Sequence, residues 1–185
     1  MVLRTFSPAR AWRPAVGARL ARTLGPAEKM IFRPATVNDS AAISSLIYTL
    51  GKSFLVNADG SGAERFWDSV SASSEASYIQ SPRYQFTVAE TSASLAGVIA
   101  VRDTTHLFHL FVATEHQRVG LAKKLWQQVL GTLHSNGYHG PVTVNSSLSA
   151  QPVYERFGFL PTGSVTQADG IAFIPMSFTI AHGQA

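Results

Sequence analysis

Three consecutive stretches constrain this chain more than anything else in it. Residues 107–112 are apolar almost without a break, as in a strand buried on both faces. Residues 121–133 place their apolar side chains at helical spacing. Between them lies the run Gln117-Arg118-Val119-Gly120-Leu121-Ala122. A glycine between a strand and a helix lets the backbone approach a ligand closely. The free N–H groups of the first helical turn then point at that ligand. Such a turn can hold an anion, or it can simply reverse the chain; the six residues alone allow both.

Around this unit the pattern alternates. Residues 30–33 read as a short strand. Asn38-Asp39-Ser40 can cap a helix running to about Leu50, with Ile43, Leu46, Ile47 and Leu50 on one face. Residues 57–62 are rich in turn formers, and a second helix is expected over 64–72, ending in the small polar stretch 71–77. Residues 84–90 and 95–101 form a hairpin, followed by a strand over 106–112 and a helix over 117–135 that stops at Asn136-Gly137. A strand at 141–145, a helix at 150–157 and strands at 159–162 and 171–178 complete the order. Hairpins first, then strands alternating with helices, imply an α/β (α+β) domain: one mixed, mostly antiparallel sheet of about six to seven strands with helices on both faces.

Composition narrows the chemistry. With 185 residues, 45% of them apolar, the chain can bury one sizeable core. It has no cysteine, which excludes disulfides, thiolate metal sites and a cysteine nucleophile. Its histidines do not suggest a metal site: His106 and His109, three apart on one strand, should face opposite sides, and His134 and His139 flank Gly137 in a turn. No metal cofactor is expected. No apolar run approaches the ~20 residues that span a bilayer.

The net charge of +4 comes from residues 1–29, which carry Arg4, Arg10, Arg13, Arg19, Arg22 and Lys29 against Glu28 alone. The rest is nearly neutral, so neither a nucleic acid nor a membrane is expected as partner. Residues 1–29 read as a basic, poorly ordered extension, with Met30 a candidate true start, and residues 181–185 as a tail. The competing reading of the Arg-rich, acid-poor start is an organellar transit peptide; otherwise the expected location is cytoplasmic.

Downstream, Val144-Asn145-Ser146-Ser147-Leu148-Ser149-Ala150-Gln151-Pro152-Val153-Tyr154-Glu155-Arg156-Phe157-Gly158-Phe159 carries a second signature. With the glycine run, which fits Gln/Arg-x-x-Gly-x-Gly/Ala, it resembles the GNAT superfamily of N-acetyltransferases over residues 30–178. The later motif of that family is a strand ending in Asn, then Ala-x-x-x-Tyr-x-x-x-Gly-Phe. The resemblance implies a single domain over residues 30–180 that binds acetyl-CoA as co-substrate and transfers its acetyl group to a primary amine.

It also implies roles. Gln117, Arg118, Val119, Gly120, Leu121, Ala122 and Lys123 would cradle the pyrophosphate, with Ala122 in place of the commoner final glycine. Leu110, Phe111 and Val112 would splay from the neighbouring strand and pair their backbone with the pantetheine arm. Asn145 would face that arm or else cap the next helix. Tyr154 would protonate or hydrogen-bond the departing thiolate, or pack as a core tyrosine against Phe157 and Phe159.

No carboxylate stands on strand 106–112 to deprotonate the amine. His109 is the first candidate, with His106 and Glu90 behind it, each with an ordinary structural reading as well. Phe54, Phe66, Trp67, Tyr78 and Phe173 could line the acceptor pocket. Without a cysteine, attack must be direct, in a ternary complex. A non-catalytic acetyl-CoA sensor on the same fold is the alternative, and exposed sheet edges leave room for a homodimer.

Overall fold

The computed structural model describes residues 29–180. Expectations for residues 1–28 and 181–185 lie outside the described residues. In chain order come β1 (Ile31–Pro34), α1 (Ser40–Leu50), α2 (Glu64–Ser69), α3 (Ala72–Gln80), β2 (Tyr84–Glu90), β3 (Leu95–Arg102), β4 (His106–Val112), α4 (Leu121–Ser135), β5 (Pro141–Ser146), α5 (Gln151–Arg156), β6 (Leu160–Pro161), β7 (Thr166–Ala168) and β8 (Ile171–Thr179). The sheet runs β1-β2-β3-β4-β5-β8-β6, with β7 also paired to β8. Every described pair is antiparallel except β4 with β5. The mixed, mostly antiparallel sheet is the expected one. It gains β7, three exposed residues that bury no side chain and so leave no hydrophobic pattern.

Two cores form, one on each face. Under α4 and α5 lie Ile99, Leu107, Val142, Val144, Leu125, Trp126, Tyr154 and Phe159. Under α1 and α3 lie Ile43, Ile47, Val70, Phe86, Val88 and Val98. Helix α4 reaches both halves of the sheet. Leu125 lies against Gly97 on β3, while the Trp126 ring meets Phe159 at 5.2 Å and Phe178, on β8, at 5.6 Å. The other end of the sheet is fastened by Arg33. Its guanidinium holds Glu90 across the β1–β2 pair, at 2.6 and 2.9 Å, and Asp39 ahead of α1, at 2.8 and 2.9 Å. Asp39 also accepts the Thr36 N–H at 2.7 Å, and these bonds, the Arg33 ones first, hold its carboxyl down to a pKa of about 2.

Three expectations need correction. The helix from Glu64 does end ahead of the stretch 71–77, at Ser69, but that stretch also starts a second helix. Ser71 adopts an extended backbone and its hydroxyl accepts the Ser74 N–H, capping α3. Serines read as a breaker because they favour caps as strongly as loops. Helix α4 begins at Leu121 rather than Gln117, since Arg118 (φ 62°) and Gly120 (φ 84°) are left-handed.

Third, His106 and His109 share a face. A β-bulge lets Ala100 pair with His109 and Val101 with Leu107, so Phe108 has no partner across the ladder and the alternation slips by one. His106 then bonds Thr143, whose neighbours Val142 and Val144 point into the opposite core, while His109 packs on Phe86.

Candidate functional site

The main feature of the sheet is where it comes apart. β4 and β5 pair only at His106–Thr143 and Leu107–Val144, with one further bond from the Thr143 N–H to the Thr105 carbonyl. Beyond Leu107, β4 stays with β3 while β5 stays with β8 through Ser146–Ile174. A notch opens between them. Along one strand edge, alternate residues point both N–H and C=O the same way, so Phe108 to Val112 present unladdered backbone groups to the notch. Leu110, Phe111 and Val112 therefore lie where the splayed strand was expected.

At the mouth of the notch is the glycine turn. The Gln117 side chain folds back, its amide donating to the Val112 carbonyl at 2.9 Å, so this residue locks the turn rather than reaching out. Arg118, Val119, Gly120 and Lys123 are exposed, and a Cβ on Gly120 would meet nothing within 4 Å. The Lys124 N–H is the first to find an intrahelical acceptor, on Gly120. The N–H groups of Leu121, Ala122 and Lys123 precede it, and no side chain caps them. Neither Arg118 nor Lys123 has a carboxylate partner among the described residues. Backbone donors, a helix dipole and two unpaired cations make this corner fit a pyrophosphate.

From the α5 face comes Tyr154. It is 7% exposed, edge-on to Phe157 at 6.3 Å and Phe159 at 5.5 Å. The core packing is as expected, and the hydroxyl bonds to nothing among the described residues. Burial pushes that hydroxyl above the ordinary phenol range, so it is a neutral donor at physiological pH. Asn145 is exposed on β5, between buried Val144 and Ser146, just past the last β4–β5 pair. The Ser147 hydroxyl closes the turn ahead of α5 by accepting the Ala150 N–H at 3.3 Å, while α5 itself has no side-chain cap.

From the opposite face comes His109, 5% exposed, its Nε2 2.9 Å from Oε1 of Glu75 on α3. Glu75 is 0% exposed, and its Oε2 has no partner. Sequence reading missed Glu75 because it took residues 71–77 as a helix end. The signal was there: Glu75 is the only charged residue between Asp68 and Arg83.

The other base candidates fare differently. His106 bonds Thr143 at 2.9 Å and is pushed toward the neutral form by burial and by Arg102. Glu90 is not brought to the notch: it is held by Arg33 on β2, two strands from β4, which keeps its carboxyl below the usual range. Phe54 and Phe66 meet at 5.8 Å and Phe54 reaches Phe111 at 6.4 Å, with Trp67 against Phe66. Tyr78 joins Phe108 and Tyr84 instead, and Phe173 makes no ring contact with either group.

Comparison with known proteins agrees with this geometry. Residues 54–180 match the acetyltransferase (GNAT) domain model. N-acetyltransferase 8 of Homo sapiens is 37% identical over a stretch covering 47% of this chain and 43% of that protein. Probable N-acetyltransferase family 8 member 5 of Mus musculus is 32% identical over 52% of this chain and 47% of its own length. The aligned stretch thus spans less than half of each relative.

Among solved structures, a GCN5-related N-acetyltransferase from Rhodopseudomonas palustris superposes with a TM-score of 0.65 at 15% identity, covering 80% of this chain and 94% of that one. The PaiA N-acetyltransferase of Thermoplasma acidophilum, solved with coenzyme A, gives 0.63 at 17% identity, covering 82% and 99%. At such identities these two show the fold. The chain belongs to the GNAT acetyltransferase family and carries an acyltransferase domain.

Proposed function

We propose that this GNAT-family chain transfers the acetyl group of acetyl-CoA to a primary amine, by direct attack within a ternary complex. One observation carries the reading. The sheet opens at Leu107–Val144 beside an uncapped helix start whose glycine leaves the backbone clear. An unladdered strand edge suits the two amides of a pantetheine arm, and the α4 start suits its pyrophosphate. PaiA, with the same fold, was solved with coenzyme A.

Within that complex each group has a task. Backbone N–H groups of Leu121 to Lys123, with Arg118 and Lys123, hold the phosphates. Phe108 to Val112 align the arm, and Asn145 hydrogen-bonds it from across the notch. His109 accepts the ammonium proton of the acceptor, freeing the nitrogen lone pair to attack the thioester carbon. The carbon–sulfur bond breaks, the second nitrogen proton passes to the departing sulfur to give the free thiol of CoA, and the Tyr154 hydroxyl donates a hydrogen bond to that sulfur as charge builds on it. Because burial makes that phenol a weaker acid than a thiol, it stabilises the thiolate as a hydrogen-bond donor rather than giving up its proton outright.

Thiol release from acetyl-CoA with a panel of amines, together with CoA titration calorimetry, tests the reading. Binding with turnover supports it. Binding with no turnover across the panel replaces it with an acetyl-CoA sensor, and no binding removes both.

A further inference from the structure

We infer that Glu75 is the positioning residue for His109: its carboxylate takes the Nε2–H of the imidazole and thereby turns the lone pair of Nδ1 toward the notch. The inference rests on the reading of His109 as the base.

The observation is a mismatch between cost and need. A carboxylate at 0% exposure with one oxygen bonded only to an imidazole and the other to nothing is an expensive way to fill a core. Helix α3 does not depend on it, since the helix is capped by Ser71 and an aliphatic side chain would pack the same position. What the carboxylate does supply is orientation. In a neutral imidazole one nitrogen donates and the other accepts, and the partner of one decides the role of the other.

The other ring contacts of His109 are Phe86 on β2 and Phe108 and Phe111 on β4. None of these can donate to or accept from it, so Glu75 is the one charged group in contact with the ring among the described residues. Nδ1 makes no hydrogen bond among the described residues. The residue keeps 5% exposure, whereas Glu75 Oε2 is buried without a partner. One nitrogen is thus tied to Glu75, and the other has no partner among the described residues.

Place on the fold completes the case. His109 stands directly after the bulged Phe108 and two residues past Leu107, the last β4 residue paired to β5. Without the bulge the alternation would send position 109 into the opposite core. The bulge puts it on the α3 face, where Glu75 waits. As the base takes a proton from the ammonium, the neutral ring becomes an imidazolium, and the buried carboxylate turns a hydrogen bond into an ion pair just when positive charge appears.

The test uses the full chain, with acetyl-CoA and the amine panel. Glu75→Gln keeps the shape and an accepting oxygen but removes the charge. Its kcat should fall about 10- to 100-fold, within the range of a general-base contribution, with the KM for acetyl-CoA unchanged. In a His109→Gln background the same change should cost nothing further.

Wild-type rates in Glu75→Gln would overturn the inference, and so would an equal loss in the His109→Gln background. NMR of the His109 ring in the wild-type chain reads the tautomer without any variant: Nε2–H supports the inference and Nδ1–H ends it. That spectrum also separates the two readings, because absent thiol release with every amine defeats the proposed activity while leaving the tautomer measurable.

Discussion

The two sides of the notch are made of different material. On the α4 side the site is backbone: free N–H groups, a glycine at φ 84°, and exposed cations that need only be near. On the α3 side it is two buried side chains meeting at 2.9 Å, each fixed by its position in a packed core. A backbone site tolerates many side chains and depends on conformation. A side-chain site tolerates almost none and depends on register. Binding of the donor should therefore fail when conformation is disturbed, and chemistry when a single side chain is.

The largest expected break in this contrast is His109→Gln. It should lower turnover about 100-fold or more, as loss of a general base does, and leave coenzyme A affinity at the wild-type value in calorimetry. Equal losses in both would merge the two sides into one. Gly120→Asp should do the reverse. A side chain at left-handed φ, plus a negative charge facing phosphate, should weaken coenzyme A binding about 10- to 100-fold. A folded Gly120→Asp with unchanged affinity would remove the phosphate corner.

A smaller effect is expected from Tyr154→Phe, about 10-fold in kcat. Its melting temperature should hardly move, because the hydroxyl bonds nothing among the described residues. A drop in stability without one in turnover would make Tyr154 a packing residue.

The smallest effect lies outside the notch. Asp39→Asn should cost about 1 kcal/mol after allowance for the solvent that reaches the pair, with donor binding and turnover intact. Asp39 has its folded pKa lowered from 3.8 to about 2. Its contribution is thus complete above pH 3.8 and disappears as the pH falls through about 2. Acid unfolding of the wild type and of Asp39→Asn should converge over that window.

How far the sequence disclosed these regions follows from the same contrast. The glycine turn was readable because left-handed backbone favours glycine, as at Gly120, and glycine can be seen in a string of letters. The β4–β5 split, with Asn145 and Tyr154 beyond it, was reachable through two motifs in order. The His109–Glu75 pair was not. Half of it sat in a serine-rich stretch whose capping resembles a loop. The other half was assigned to a face by strict alternation, which the unpaired Phe108 breaks. A bulge leaves no compositional mark, so any face assigned downstream of one is inverted. Glu90, conversely, looked available only because its partner Arg33 lies 57 residues away in sequence.

Two residue pairs join β4 to β5, with the Thr143–Thr105 backbone bond and the His106–Thr143 side-chain bond at the same end, and beyond that end the halves of the sheet are held apart by side-chain bulk beneath them. Mechanically the domain is two plates sharing a short seam, with α4 as the clamp: Leu125 bears on one plate through Gly97, Trp126 on the other through Phe159 and Phe178. The gape of the notch is then a matter of volume in an oily interior, not of hydrogen bonds at its lips. Exchanging one aliphatic or aromatic residue for another under α4 would tilt the plates by small amounts and leave every reacting group in place. A lineage could retune what fits between them without touching the chemistry at all.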